Sequence, residues 1–197
     1  GGIDGLRADY QKYVTDADVI SLDIGVNNFG VYTINRITSG MFDADLSRLF
    51  TEEELAKYEE VKAEVFNYLA DAVGEANAPM LDHLTETLTY AYVGFIKNFD
   101  EVVKHIYELN PDVQLVVVGL PNMMQGVVAD FEGVSIPFGE FFGKVIDMAN
   151  LYTSSLSPYA DTYAYAYVGP DGSAETFLED IKAQTENISE FLRQRMP

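Results

Sequence analysis

The chain has 197 residues, 48% of them hydrophobic, which is enough to bury the core of one domain. Its 12 Lys and Arg stand against 32 Asp and Glu, a net charge of −20 that repels phosphate backbones and anionic lipid surfaces and argues against nucleic acid as a partner. With no cysteine there is no disulfide, thiolate zinc site or Cys nucleophile, and no apolar run reaches the ~20 residues of a membrane span.

Leu6 to Thr15 carries weak helical periodicity. Residues 18–24 then alternate, with Ile20, Leu22 and Ile24 on one face and Val19, Ser21 and Asp23 on the other, which predicts a buried strand running into a turn at Gly25. Residues 29–50 are mixed and predict irregular chain with a short helix near 43–50. Thr51 and Glu54 form a capping box ahead of Leu55, Tyr58, Val61, Val65, Leu69 and Val73 at helical spacing, and Asn77-Ala78-Pro79 ends that helix. A second long helix follows, from Leu81 to Leu109, stopped by Asn110-Pro111. The β-branched run 114–120 predicts a parallel strand buried on both faces. Phe138 to Leu156 predicts a helix with an irregular start at Gly139 and Gly143. Residues 162–168 alternate Tyr and Ala as a third strand, 169–172 is a turn, and a last helix covers about 174–193. Strands alternating with helices imply a parallel sheet covered on both faces, in one domain over 1–197, with 29–109 carrying an inserted helical hairpin or cap.

The segment Gly25-Val26-Asn27-Asn28, at the carboxyl end of a strand, resembles the Gly-x-Asn-Asp block of SGNH (GDSL-type) esterases and lipases. Gly2-Ile3-Asp4-Gly5-Leu6-Arg7-Ala8-Asp9 resembles the block before it. Phe99 through Asn122 resembles the helix and fourth strand of the family's bacterial members. The resemblance implies a three-layer α/β/α fold with a flavodoxin-like parallel sheet in the order 2-1-3-4-5, incomplete here at its N-terminus. Segments 18–24, 114–120 and 162–168 would be strands three, four and five, adjacent to one another. The outer edge of 18–24 would then be open, to be covered by a second copy, a bound N-terminal fragment or the 29–50 segment.

For function, the resemblance implies hydrolysis of an ester or acyl/glycan-type ligand without a cofactor. The compartment stays open, because a secreted protein can also lack cysteine, with a secreted or cell-surface setting slightly favoured over a cytoplasmic one. Asn27 and Gly5 would be the oxyanion-hole donors and would approach each other. Asn28 stands where the family has Asp. The family's nucleophile block, Gly-Asp-Ser, does not occur in the sequence. In its last block, Asp-x-x-His-Pro, Pro170 matches, but Ala166 and Gly169 replace the Asp and His. A serine without a base is a poor nucleophile, so the chain reads as an ester hydrolase by descent that is inactive as it stands. The alternatives are a non-catalytic binding module that keeps the pocket, or an unrelated α/β domain.

The remaining candidates each have a plainer explanation beside the functional one. Asn27 could instead hydrogen-bond its own turn, and Asp23 could line the site or cap a neighbouring helix. Met123 and Met124, with Leu120, Pro121 and Phe131, could wall an acyl pocket or fold over the core. His83 and His105 lie on the second long helix. His83 follows Asp82 directly, a spacing at which helical side chains do not face each other. Ser154, Ser155 and Ser157 suit capping or turn roles. Tyr163, Tyr165 and Tyr167 suit a strand face better than an aromatic platform. No metal-loop spacing is present.

Overall fold

The computed structural model describes residues 8–30, 33, 35–36, 45–131, 133–154 and 162–166. It is a mixed α/β structure, mostly helical, with a small parallel sheet and a small antiparallel one. The chain divides into two compact units. One comprises Gly1–Ile24, Ile96–Pro121 and Asn150–Pro197, the other Gly25–Phe95 and Asn122–Ala149.

The first unit is built on the parallel sheet. Helix α1 (Ala8–Thr15) leads into strand β1 (Val19–Leu22), shorter than the alternation predicts, with Asp23 and Ile24 beyond its end. Two long helices of the chain contribute to this unit and are labelled below in chain order. The C-terminal part of the 82–109 helix carries the buried side chains Phe99, Val103, Ile106 and Tyr107. Leu115, Val116 and Val117 are all buried, so the strand at Gln114–Val118 is covered on both faces, as its β-branched run predicts. The strand at Tyr163–Ala166 is the third described strand of this sheet. Both neighbours pair parallel to the 114–118 strand, with Val19 opposite Gln114 and Leu115 opposite Tyr163, so among the described residues 19–22 lies at one edge and 163–166 at the other. The three segments are adjacent in the predicted order. β1 is half-buried rather than buried, because only one of its sides meets a strand among the described residues.

One side chain secures the entry to this sheet. Asn110, at the stop predicted for the long helix, donates from Nδ2 to the carbonyls of Val14 (3.0 Å), Thr15 (3.2 Å) and Ala17 (2.8 Å). These carbonyls end α1 and the turn after it, where no helical N–H is left to meet them. Asn110→Ala is expected to cost about 1–2 kcal/mol in urea unfolding and to speed amide exchange in α1 ahead of the sheet.

The second unit is mostly helical and also holds the antiparallel hairpin. It begins with the short helix α2 (Val26–Phe29), followed by α3 (Leu46–Leu49) near the short helix predicted for 43–50. Helix α4 (Glu52–Val73) has the predicted capping box: Glu54 N–H donates to the Thr51 hydroxyl at 3.3 Å, and Thr51 N–H donates to the Glu54 carboxylate at 2.6 Å. Tyr58, Val61, Val65 and Leu69 form its buried stripe. Asn77 Nδ2 closes the far end on the Val73 carbonyl at 2.8 Å, and a 3-10 turn (Ala78–Leu81) leads into α5 (Asp82–Leu109). Lys62 and Glu86 join α4 to α5 at 2.9 Å, and that bond raises the Lys62 pKa above its ordinary value.

Strand β2 is Gln114–Val118. After it the sequence reading missed an antiparallel hairpin, β3 (Ala129–Phe131) and β4 (Val134–Ile136), because three-residue strands show too little alternation to register. Helix α6 runs unbroken over Phe138–Ser154, so its start is regular despite Gly139 and Gly143. Phe29, at the end of α2, stacks edge-on against Phe95 (5.5 Å between centroids) and Phe142 (6.5 Å), and Phe138 lies 5.7 Å from Phe142. This aromatic cluster anchors α2 to α5 and α6. β5 is the strand Tyr163–Ala166 of the first unit. Gly5, the turn 169–172, the helix at 174–193, Ser155, Ser157 and Tyr167 lie outside the described residues.

Candidate functional site

The second unit brings together two of the predicted pieces, the Gly25–Gly30 turn and the loop carrying Met123 and Met124. The turn is made by Gly25, whose φ of 109° is strained for any residue with a Cβ. From Gly25 the chain enters α2 at once: the N–H groups of Asn28 (2.9 Å) and Phe29 (3.3 Å) both donate to the Gly25 carbonyl. Phe29 is fully buried, so the turn is pinned from beneath.

Asn27 points outward from this anchored turn. It is exposed, and its side-chain amide makes no hydrogen bond among the described residues. It does not cap the helix, a position held by Gly25. Asn28 is half-buried, and its carbonyl accepts the hydroxyl of Thr33, itself fully buried. That bond is to the main chain of residue 28 and holds the turn without using the Asn28 side chain.

The second piece is fixed by a residue the sequence reading did not single out. Asn122 Nδ2 donates to the Gly139 carbonyl at 2.9 Å, while its Oδ1 accepts the Met124 N–H at 3.1 Å. An Asn bonding the backbone two residues on is a recognised turn former, and Pro121-Asn122 just after a strand was the available signal. The loop then closes with Val127 N–H donating to the Met124 carbonyl at 2.9 Å. Met124 is partly buried. Met123 is 44% exposed, and its Cε lies 3.4 Å from where a Cβ on Gly30 would stand. Met123 therefore lies beside the turn that presents Asn27, with Val26 also exposed there.

The arrangement exposes an amide N–H pair with no hydrogen bond among the described residues, on a turn whose other end, at Gly30, lies against the flexible apolar side chain of Met123. That suits a carbonyl oxygen with a short apolar substituent. Asp23, exposed beyond β1, belongs to the other unit, and Gly5, the predicted partner of Asn27, lies outside the described residues.

The remaining candidates take other parts. His105 sits with Nδ1 3.7 Å from Glu108, and its Nε2 is buried without a hydrogen-bond partner among the described residues. The His83 carbonyl accepts the Thr87 hydroxyl at 2.7 Å. Ser154 donates to the Leu151 carbonyl at 2.9 Å, the capping role expected of it. Tyr163 donates its hydroxyl to the Thr153 carbonyl and so serves the fold. The shifted carboxyls lie in α5 and α6. Burial raises the Asp100 pKa, and the 2.5 Å bond from the Tyr152 hydroxyl partly offsets this. Burial also raises Asp147, against the pull of Lys144. Among the described residues no cluster of His, Asp and Glu could hold a metal ion, and no helix is long and apolar enough to cross a membrane.

Comparison with known proteins returns no matching family model, curated protein or solved structure.

Proposed function

We propose that the chain is an SGNH-type α/β domain of ester-hydrolase descent that binds a small ester or acyl ligand beside Asn27 without turning it over. The finer fold reading, a three-layer flavodoxin-like domain, belongs to this proposal. The observation that carries it is the exposed Asn27 amide, which has no hydrogen bond among the described residues and is held on the turn that Gly25 opens, with Met123 against Gly30 at the other end of that turn. The strand order β1-β2-β5 agrees with strands three, four and five of the SGNH sheet.

Silence follows from the chemistry. An amide donor aimed at a developing oxyanion lowers a barrier only if a nucleophile attacks, and a serine attacks only when a base takes its proton. Ala166 and Gly169 hold the positions of the family's acid and base, and no His follows His105. Asn27 would then orient a carbonyl oxygen, and Met123 and Met124 would cover its apolar end.

The test has two parts. With p-nitrophenyl acetate and butyrate, release of p-nitrophenol is expected at the buffer rate. Turnover abolished by Asn27→Ala would overturn the silent reading and make the chain an active hydrolase. Turnover that survives Asn27→Ala would place the chemistry elsewhere. In NMR, butyrate is expected to shift the Met123 methyl and Asn27 side-chain amide signals. A titration that leaves both unmoved would remove the binding reading as well.

A further inference from the structure

We propose that the open edge of β1 is a docking site for an extended peptide strand carrying basic residues five positions apart, and that the acidic residues bracketing β1 prevent it from pairing with a second copy of this chain. The inference does not rest on the ester-hydrolase reading.

The direction of the free backbone groups follows from the register. Gln114 N–H donates to the Asp18 carbonyl at 3.0 Å, and Val19 is opposite Gln114. In a parallel ladder the N–H and C=O of alternate residues point to opposite sides. Asp18, Ile20 and Leu22 therefore turn their backbone groups toward β2, and Val19 and Ser21 turn theirs to the open side. Among the described residues no strand meets that side. Val19, Ile20 and Leu22 are half-buried apolar residues, so the edge offers both free hydrogen-bonding groups and apolar surface. Such an edge templates pairing with another strand.

The flanking charges select which strand. Asp16 and Asp18 lie before β1 and Asp23 after it, all exposed. A second copy pairing antiparallel on this edge must set outward-facing residues opposite one another: Val19 against itself, Val19 against Ser21, or Ser21 against itself. Each register sets Asp16 or Asp18 of one copy within one residue of the position opposite Asp23 of the other, at both ends and between molecules of net charge −20. A different peptide is free of that constraint. Running antiparallel with one residue opposite Asp23, it places the residue five positions later opposite Asp18. Lys or Arg at those two places meets both carboxylates, and apolar side chains between them meet Leu22 and Ile20.

The probe is the capped peptide Lys-Val-Thr-Val-Thr-Lys, with Glu-Val-Thr-Val-Thr-Glu as its control. At low salt the Lys peptide is expected to bind about tenfold more tightly, since each opposed pair changes from attraction to repulsion in the control. Binding is expected to slow amide exchange at Val19 and Ser21. The double variant Asp18→Lys, Asp23→Lys is expected to reverse the preference between the two peptides. Equal binding of both peptides overturns the proposal, as does a preference that the double variant leaves unchanged. Protection of Val19 and Ser21 amides in the free monomer would show the edge already covered by its own chain. A dimer in light scattering would show that the acidic residues do not prevent self-pairing. Either result also overturns it.

Discussion

Gly139→Ala is expected to destabilise the protein by about 3 kcal/mol and to displace the loop that carries Met123 and Met124. Gly139 is buried in the first turn of α6. A Cβ placed on it would stand 2.1 Å from the Met124 carbonyl oxygen and 2.8 Å from the Gly126 nitrogen. Both obstacles are backbone atoms, so no side-chain rotation relieves the clash. The backbone of the loop must retreat, and the loop is bonded to the same residue. Gly139 N–H donates to the Val127 carbonyl at 2.9 Å, and its carbonyl accepts Asn122 Nδ2 at 2.9 Å. Retreat weakens both bonds and moves Met123 away from Gly30. Gly143→Ala provides the comparison. Its added Cβ would meet Asn122 Nδ2 at 2.8 Å, the end of a side chain that can swing, so a loss nearer 1 kcal/mol is expected. Urea unfolding of both variants, with the Met123 and Met124 methyl signals as local reporters, checks the difference. Equal costs at the two positions would mean that the loop does not press on the start of α6.

These glycines show where sequence reading stops. Gly139 and Gly143 read as an irregular helix start because glycine weakens helices, and periodicity does not report a neighbouring loop that needs the space. The long helices α4 and α5 were legible because their apolar stripes extend over many turns, and the Thr51–Glu54 box marks the start of α4 by local chemistry. β2 was legible from its β-branched run, and its adjacency to β1 and β5 agrees with the order expected from the family resemblance. The hairpin β3–β4 was too short to read. At the candidate site, Gly25, Asn27 and Met123 were singled out in advance. Asn122 was not, because its two bonds depend on a helix start reached only by the folded chain. Asn110 was read as a helix stop, but its side-chain bonds were not, and Asn150 was missed outright: an amide that satisfies distant backbone looks, in one sequence, like any surface amide.

Asn150 carries the second large effect, and its substitutions separate geometry from charge. Its Oδ1 accepts the Leu120 N–H at 2.7 Å and its Nδ2 donates to the Leu120 carbonyl at 3.0 Å, both bonds buried. The side chain thus pairs with the peptide groups of Leu120 just past the end of β2, where the sheet provides no partner. Asn150→Ala removes both bonds and leaves a cavity, an expected loss of roughly 2–5 kcal/mol. Asn150→Asp keeps the shape and changes only one group. A protonated carboxyl accepts the Leu120 N–H and donates to its carbonyl, much as the amide does. An ionised carboxylate at 2% exposure loses the donor, repels that carbonyl and is desolvated. The folded pKa of the introduced Asp is therefore raised above its unfolded value of about 3.9. The native state then binds more protons than the unfolded state, so stability relative to the parent chain falls as pH rises from about 4 toward the folded pKa. Asn150→Asp should come close to the parent near pH 3 and lose several-fold more stability than that at pH 7, whereas the deficit of Asn150→Ala should change little with pH. Urea midpoints of the three proteins at both pH values decide the matter. A pH-independent deficit in Asn150→Asp would mean that the Leu120 peptide groups find other partners, and that Asn150 does not terminate β2.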